Sequence, residues 1–180
     1  EGFSQHNINS SIKESLARFA PMLPVIKEHG LPVRGYVSCV TDCPYDGPTK
    51  PGDVAHVAQA LWDMGCNQIS LGDTIGKGTP ETISAMLDAV LQVIPAKHLA
   101  GHYHNTHNRA LANIEASLKK GLRTFDAAAG GLGGCPYAPG SKGNVATEEV
   151  VELLTDLGFD TGIDRAALAK AAAFAQNLRS

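Results

Sequence analysis

His102 and His104 flank Tyr103 near the end of an apolar run, and side chains two apart on a strand point to the same face. Two imidazoles placed this way converge on one divalent metal ion. Imidazole suits many such metals, and with oxygen donors alongside, Mg or Mn keeps exchangeable positions for a substrate. The alternative is a pair of core or surface histidines with ordinary partners. Their place between an apolar strand and a helix, where parallel-sheet proteins hold ligands, favours the metal. His107, past the strand and near a helix start, reads as a solvated residue or one that supports a ligand from behind. Asn144, in Lys142-Gly143-Asn144-Val145-Ala146, can add an amide oxygen to the same ion, although Asn after Gly is also an ordinary turn former.

A glycine-rich stretch, Gly130-Gly131-Leu132-Gly133-Gly134-Cys135-Pro136-Tyr137-Ala138-Pro139-Gly140, follows a strand and can bend over a site. A thiol with a pKa of about 8–9 is suited to donating a proton at neutral pH, which makes Cys135 a candidate general acid. The alternative is a tight turn with an incidental thiol. The stretch lacks the Lys-Ser/Thr of a phosphate-binding loop and the spacing of a dinucleotide fingerprint, so an ATPase and a dehydrogenase are excluded. Asp73, between glycines in Ser70-Leu71-Gly72-Asp73-Thr74-Ile75-Gly76, can orient a substrate or serve as a turn or cap aspartate.

These groups need a scaffold, and the chain alternates short β-branched or apolar runs with longer runs of helical period. Strands are expected over Val33–Val40, Gln68–Gly72, Leu99–His104 and Thr124–Ala128, each followed by a loop and a helix. Asn9 or Ser10 is expected to cap a helix over Ile12–Ile26, Thr79-Pro80-Glu81 opens another, Asp53 lies in a first turn after Pro51, and Thr147-Glu148-Glu149 opens one through Leu154. Glu1-Gly2-Phe3 reads as the end of a strand running into a loop, at a truncated N-terminus. Strand-helix units repeating about every 30 residues imply a parallel sheet, either open and doubly wound or closed into a barrel. Candidate site residues at the C-terminal ends of successive strands favour the barrel. A whole barrel takes about 250 residues, so 180 hold only part of one.

Composition agrees with one globular domain over residues 1–180: 43% hydrophobic, 18% charged. A net charge of -3 without a basic stripe argues against nucleic acid and anionic membrane. No run reaches about 20 apolar residues and no basic-then-apolar leader opens the chain, which points to a reducing intracellular compartment. Cys39, Cys43 and Cys66 read as structural, and Phe19 and Trp62 as core.

The order Gly35-Tyr36-Val37-Ser38-Cys39, Cys43-Pro44-Tyr45, Ser70-Leu71-Gly72-Asp73-Thr74-Ile75-Gly76, His102-Tyr103-His104, Gly131-Leu132-Gly133-Gly134-Cys135-Pro136-Tyr137-Ala138 and Gly143-Asn144-Val145-Ala146-Thr147-Glu148 resembles the 3-hydroxy-3-methylglutaryl-CoA (HMG-CoA) lyase family from end to end. The histidine pair alone would indicate only the wider group of metal-dependent barrels, with isopropylmalate, homocitrate and citramalate synthases; the glycine-cysteine loop is specific to the lyases. The resemblance implies an α/β fold, a (β/α)8 TIM barrel, of which this chain covers the later strands and helices, the N-terminal strands being absent. It implies cleavage of HMG-CoA to acetyl-CoA and acetoacetate, as in leucine degradation and ketone-body metabolism, by a homodimer using Mg or Mn. The compartment would be cytoplasmic in a bacterium and the mitochondrial matrix in a eukaryote.

By the same resemblance His102, His104 and Asn144 match three metal ligands, the fourth being an aspartate beside a catalytic arginine on a first strand outside this chain. Cys135 matches the loop cysteine that acts late in proton transfer, His102 takes part in proton transfer, and Asp73 matches an acidic position near the substrate. Glu148 and Asn105 lie beside the site. Asn105 and Asn108 stand where the family usually has aspartate and glycine, and Ala127 and Ala128 where it often has serines. The rival expectations are a related barrel synthase condensing acetyl-CoA with a 2-oxo acid, and a non-catalytic metal-binding fragment.

Overall fold

Four parallel strands carry the molecule, in the computed structural model of residues 1–134 and 143–178. Three short helices come first: α1 (Gly2–Ile8), α2 (Ile12–Phe19) and α3 (Met22–Glu28). They are followed by β1 (Arg34–Val37), a small antiparallel pair of β2 (Asp42–Cys43) and β3 (Gly47–Pro48), then α4 (Pro51–Asp63) and β4 (Gln68–Asp73). The chain continues through α5 (Pro80–Val90), β5 (Leu99–Tyr103), α6 (Ala110–Lys119), β6 (Phe125–Asp126), α7 (Thr147–Asp156) and α8 (Arg165–Asn177). The sheet order is β1-β4-β5-β6, every pair parallel, so α4, α5 and α6 each return the chain to start the next strand alongside the last.

The two faces of this sheet differ, because strand residues alternate sides. Val37, Ile69, Leu71, Leu99 and Tyr103 face one way and are buried, joined in one cluster with Val54, Ala58 and Leu61 of α4, Ile83, Met86, Leu87 and Val90 of α5, and Ala110 and Ile114 of α6. Burying each large aliphatic contributes about 1.5–3 kcal/mol. On the other face the register aligns Arg34 with Gln68, Tyr36 with Ser70, and Gly72 with His102 and Asp126. Helices on one face of a parallel sheet, with site-type polar side chains near the C-terminal strand ends, suit a barrel, whereas a doubly wound sheet carries helices on both faces.

Several local expectations are corrected. Glu1 is the N-cap of a helix and not a strand end. The helix expected over Ile12–Ile26 is two, α2 and α3, because Pro21 between them lacks the N–H a continuous helix needs. Its cap is Ser11, in a reciprocal capping box with Glu14, while Asn9 ends α1 in the left-handed region at φ 49°. Phe19 is exposed and not core, whereas Trp62 packs against the cluster. Thr79 caps α5 as expected, paired with Thr82, and Thr147 with Glu148 and Glu149 opens α7 as expected, behind Ala146 at the cap position. Strands β1, β5 and β6 end earlier than their sequence runs, and β4 extends one residue further, to Asp73. Cys39, Cys43 and Cys66 are buried.

Candidate metal centre

His102 and His104 leave the end of β5 on the polar face, and their Nε2 atoms lie 3.3 Å apart. Behind His102 stands Asp126, on the neighbouring strand at the register partner of His102. One oxygen of Asp126 lies 3.2 Å from His102 Nδ1 and accepts from Ser70 Oγ at 2.9 Å; the other accepts from Arg34 Nη1 at 2.6 Å. Burial raises the Asp126 carboxyl, but the bonds from His102, Arg34 and Ser70 outweigh it and hold it down at about 2. The Arg34 guanidinium also reaches Tyr36 Oη at 3.3 Å, and the Tyr36 ring stands edge-on to His102.

His104 is more deeply buried than His102, and among the described residues its Nδ1 has no hydrogen-bond partner of ordinary geometry, the Thr74 backbone being its nearest polar influence. Burial and the adjacent His102 hold its pKa below the ordinary histidine value, opposed by the Thr74 backbone. A backbone bridge pairs His104 with Asn144. Asn144 donates from Nδ2 to the Leu132 carbonyl at 3.2 Å, and its amide oxygen is an acceptor of the kind a cation takes. Asn105 secures this approach at both ends: its N–H donates to the Gly143 carbonyl at 2.8 Å, and its side-chain oxygen accepts from Ala110 N at the start of α6. Gly76 lets the loop after β4 pass His104: its φ is 66°, and a Cβ there would stand 2.8 Å from the His104 carbonyl oxygen.

Glu148, in the first turn of α7, accepts the Gly130 N–H with both oxygens, at 2.9 and 3.1 Å, and so anchors the base of the glycine-rich stretch. Asp73 is fully buried: one oxygen accepts from Thr41 Oγ1 at 2.8 Å and the other from Gly78 N at 2.9 Å. Burial raises its carboxyl above the ordinary value. The structure thus brings His102, His104 and Asn144 together, gives Asn105 and Glu148 the supporting contacts described, and shows Asp73 clamping the rim loop. Cys135 lies outside the described residues. Arg34, Ser70 and Asp126 were not singled out from sequence; the available signal was a charged residue in each of two strands, in phase with His102.

Two imidazole nitrogens and one amide oxygen are donors that suit a divalent cation with oxygen ligands completing its shell. Among the described residues no three His, Cys, Asp or Glu side chains are grouped to hold an ion. The HMGL-like family model matches residues 1–175. The chain is 53% identical over 171 residues to the 3-hydroxy-3-isohexenylglutaryl-CoA/hydroxy-methylglutaryl-CoA lyase of Pseudomonas aeruginosa, covering 95% of this chain and 57% of that protein. The structure superimposes on the HMG-CoA lyase of Brucella melitensis with a TM-score of 0.97 and 59% identity, over 99% of this chain and 63% of the other. With an Acinetobacter baumannii HMG-CoA lyase in complex with coenzyme A and 3-methylmalate the TM-score is 0.86 at 33% identity, over 93% and 55%. The chain spans about half the length of the curated relatives it matches. A parallel sheet with a polar ligand face, the matched family and these neighbours agree: the fold is of the (β/α)8 barrel type, and the chain belongs to the HMGL-like family.

Proposed function

We propose that the protein carrying this chain is a divalent-metal carbon–carbon lyase that cleaves HMG-CoA to acetyl-CoA and acetoacetate. The observation that carries this reading is the pair of Nε2 atoms 3.3 Å apart on the polar face, with Asn144 bridged to His104. Kinship supports the substrate: relatives at about half identity are named hydroxymethylglutaryl-CoA lyases. The coenzyme A and 3-methylmalate of the Acinetobacter complex are a thioester carrier and a small hydroxy diacid, the two halves such a substrate combines.

In this reading His102, His104 and Asn144 hold Mg or Mn, which when bound supplies Lewis acidity toward the substrate's oxygens. His102 takes part in the transfer of the tertiary hydroxyl proton as the bond to the thioester α-carbon breaks. Cys135 returns a proton to the acetyl-CoA enolate from the stretch whose base Glu148 anchors. Asp73 acts on the substrate side through the rim loop it clamps, and Asn105 keeps the strand end and Asn144 in register. A homodimer is part of this proposal, located in the cytoplasm of a bacterium or the mitochondrial matrix of a eukaryote.

Acetoacetate release from HMG-CoA in the presence of Mg or Mn is the test. Stoichiometric acetoacetate and acetyl-CoA are expected; thiol release from acetyl-CoA with a 2-oxo acid, and no acetoacetate, would replace the lyase by a synthase. Cys135→Ala is expected to depress turnover far more than metal affinity, and equal losses in both would remove the proton-transfer assignment.

A further inference from the structure

Asp126 meets three neighbours with two oxygens, and the chemistry of those neighbours fixes which atoms carry protons. Arg34 can only donate. It takes one carboxylate oxygen at 2.6 Å, while Ser70 and His102 share the other at 2.9 and 3.2 Å. An ionised carboxylate beside a guanidinium only accepts, so the imidazole nitrogen facing it, Nδ1, must carry hydrogen. A neutral His102 then has its lone pair on Nε2, the atom that faces His104 Nε2.

We propose that Asp126, clamped by Arg34 and Ser70, is the positioning residue that sets the tautomer of His102 and so presents its Nε2 lone pair to the metal. This rests on the reading of His102 as a ligand. The arrangement spans three strands: Arg34 comes from β1, Ser70 from β4 and Asp126 from β6, all on the polar face with His102. A carboxylate behind a ligating histidine fixes ring orientation and raises ligand basicity, and its loss typically weakens metal affinity about 10- to 100-fold.

The clamp makes Asp126→Asn a sharp test. With Arg34 able only to donate, the Asn carbonyl must turn to Arg34 and its NH2 must occupy the position facing Ser70 and His102. That NH2 needs a lone pair on Nδ1, which moves the His102 proton to Nε2 and closes the ligand position. A loss of packing alone would not move this proton.

The experiment is nitrogen-15 NMR of the histidine rings in metal-free protein, at a pH where they are neutral, paired with Mn binding followed by EPR. Expected are an Nδ1–H tautomer of His102 in the wild type, an Nε2–H tautomer in Asp126→Asn, and Mn affinity lower by about 10- to 100-fold in that variant. Ser70→Ala, which leaves Arg34 and the carboxylate in place, is expected to keep the Nδ1–H tautomer. An Nε2–H tautomer in the wild type overturns the assignment, whether or not the variant folds. It is also overturned if Asp126→Asn binds Mn as the wild type does while His102→Ala loses it, an outcome that leaves the metal reading standing. Unchanged Mn affinity in His102→Ala removes that reading and this assignment with it.

Discussion

Asp126 is the residue on which most of the centre's charge balance depends. Its carboxyl is held down at about 2, against an ordinary 3.8, so it binds fewer protons in the folded protein than in the unfolded one between those values. The stability it confers is therefore complete above pH 3.8 and is lost as pH falls toward about 2. Asp126→Ala is expected to cost about 1–3 kcal/mol at neutral pH, because Arg34 is left without its carboxylate. The same variant should lack the acid-limb slope between those pH values. Urea melts of metal-free protein at pH 7 and pH 3 check both: a variant as sensitive to acid as the wild type would contradict the ionised clamp. At the same scale the burial-raised Cys66 thiol is expected to alkylate many times more slowly than a free thiol until the protein is unfolded. Mass-spectrometric labelling with iodoacetamide reads this.

At the scale of elements, strand ends and loop geometry decide where the donors sit. Gly76→Ala puts a Cβ at positive φ against the His104 carbonyl, and about 1–3 kcal/mol of stability is expected to go with it. Thr79→Ala, which opens the capping box of α5, should cost about 1 kcal/mol and leave metal binding unaltered. Denaturant melts with Mn titration distinguish the two, since only the first meets a backbone atom of His104. What was legible from sequence follows from how local the cause is. Thr79-Pro80 announces a helix start through residues that touch each other, and His102 and His104 share a face by the period of a strand. Pro21 was legible as a residue, but the helical period running across it masked the break between α2 and α3. Arg34 and Asp126 were not legible as a pair because 92 residues separate them, and only the parallel register of β1, β4, β5 and β6 makes them neighbours.

For the whole molecule, the division of labour between sheet faces explains how one architecture holds both stability and chemistry. The helix side is a continuous apolar cluster, so Leu71→Ala is expected to cost about 2–5 kcal/mol without altering the donors directly. The opposite side spends its strand positions on Arg34, Ser70, His102 and Asp126, polar groups that satisfy one another. Polar residues that a strand pattern marks as solvent-facing thus bond to one another beside the histidine pair, which is why the fold class was readable from alternating strands and helices while the wiring of the site was not. The measurement that tests the central claim most directly is acetoacetate release from HMG-CoA by EDTA-stripped protein as Mn is added back, for the wild type and His104→Ala. Release should recover as one Mn is bound per chain, with His104→Ala needing at least about tenfold more metal. Release that survives EDTA, or recovers at the same Mn concentration in His104→Ala, would contradict a metal-dependent lyase built on this histidine pair.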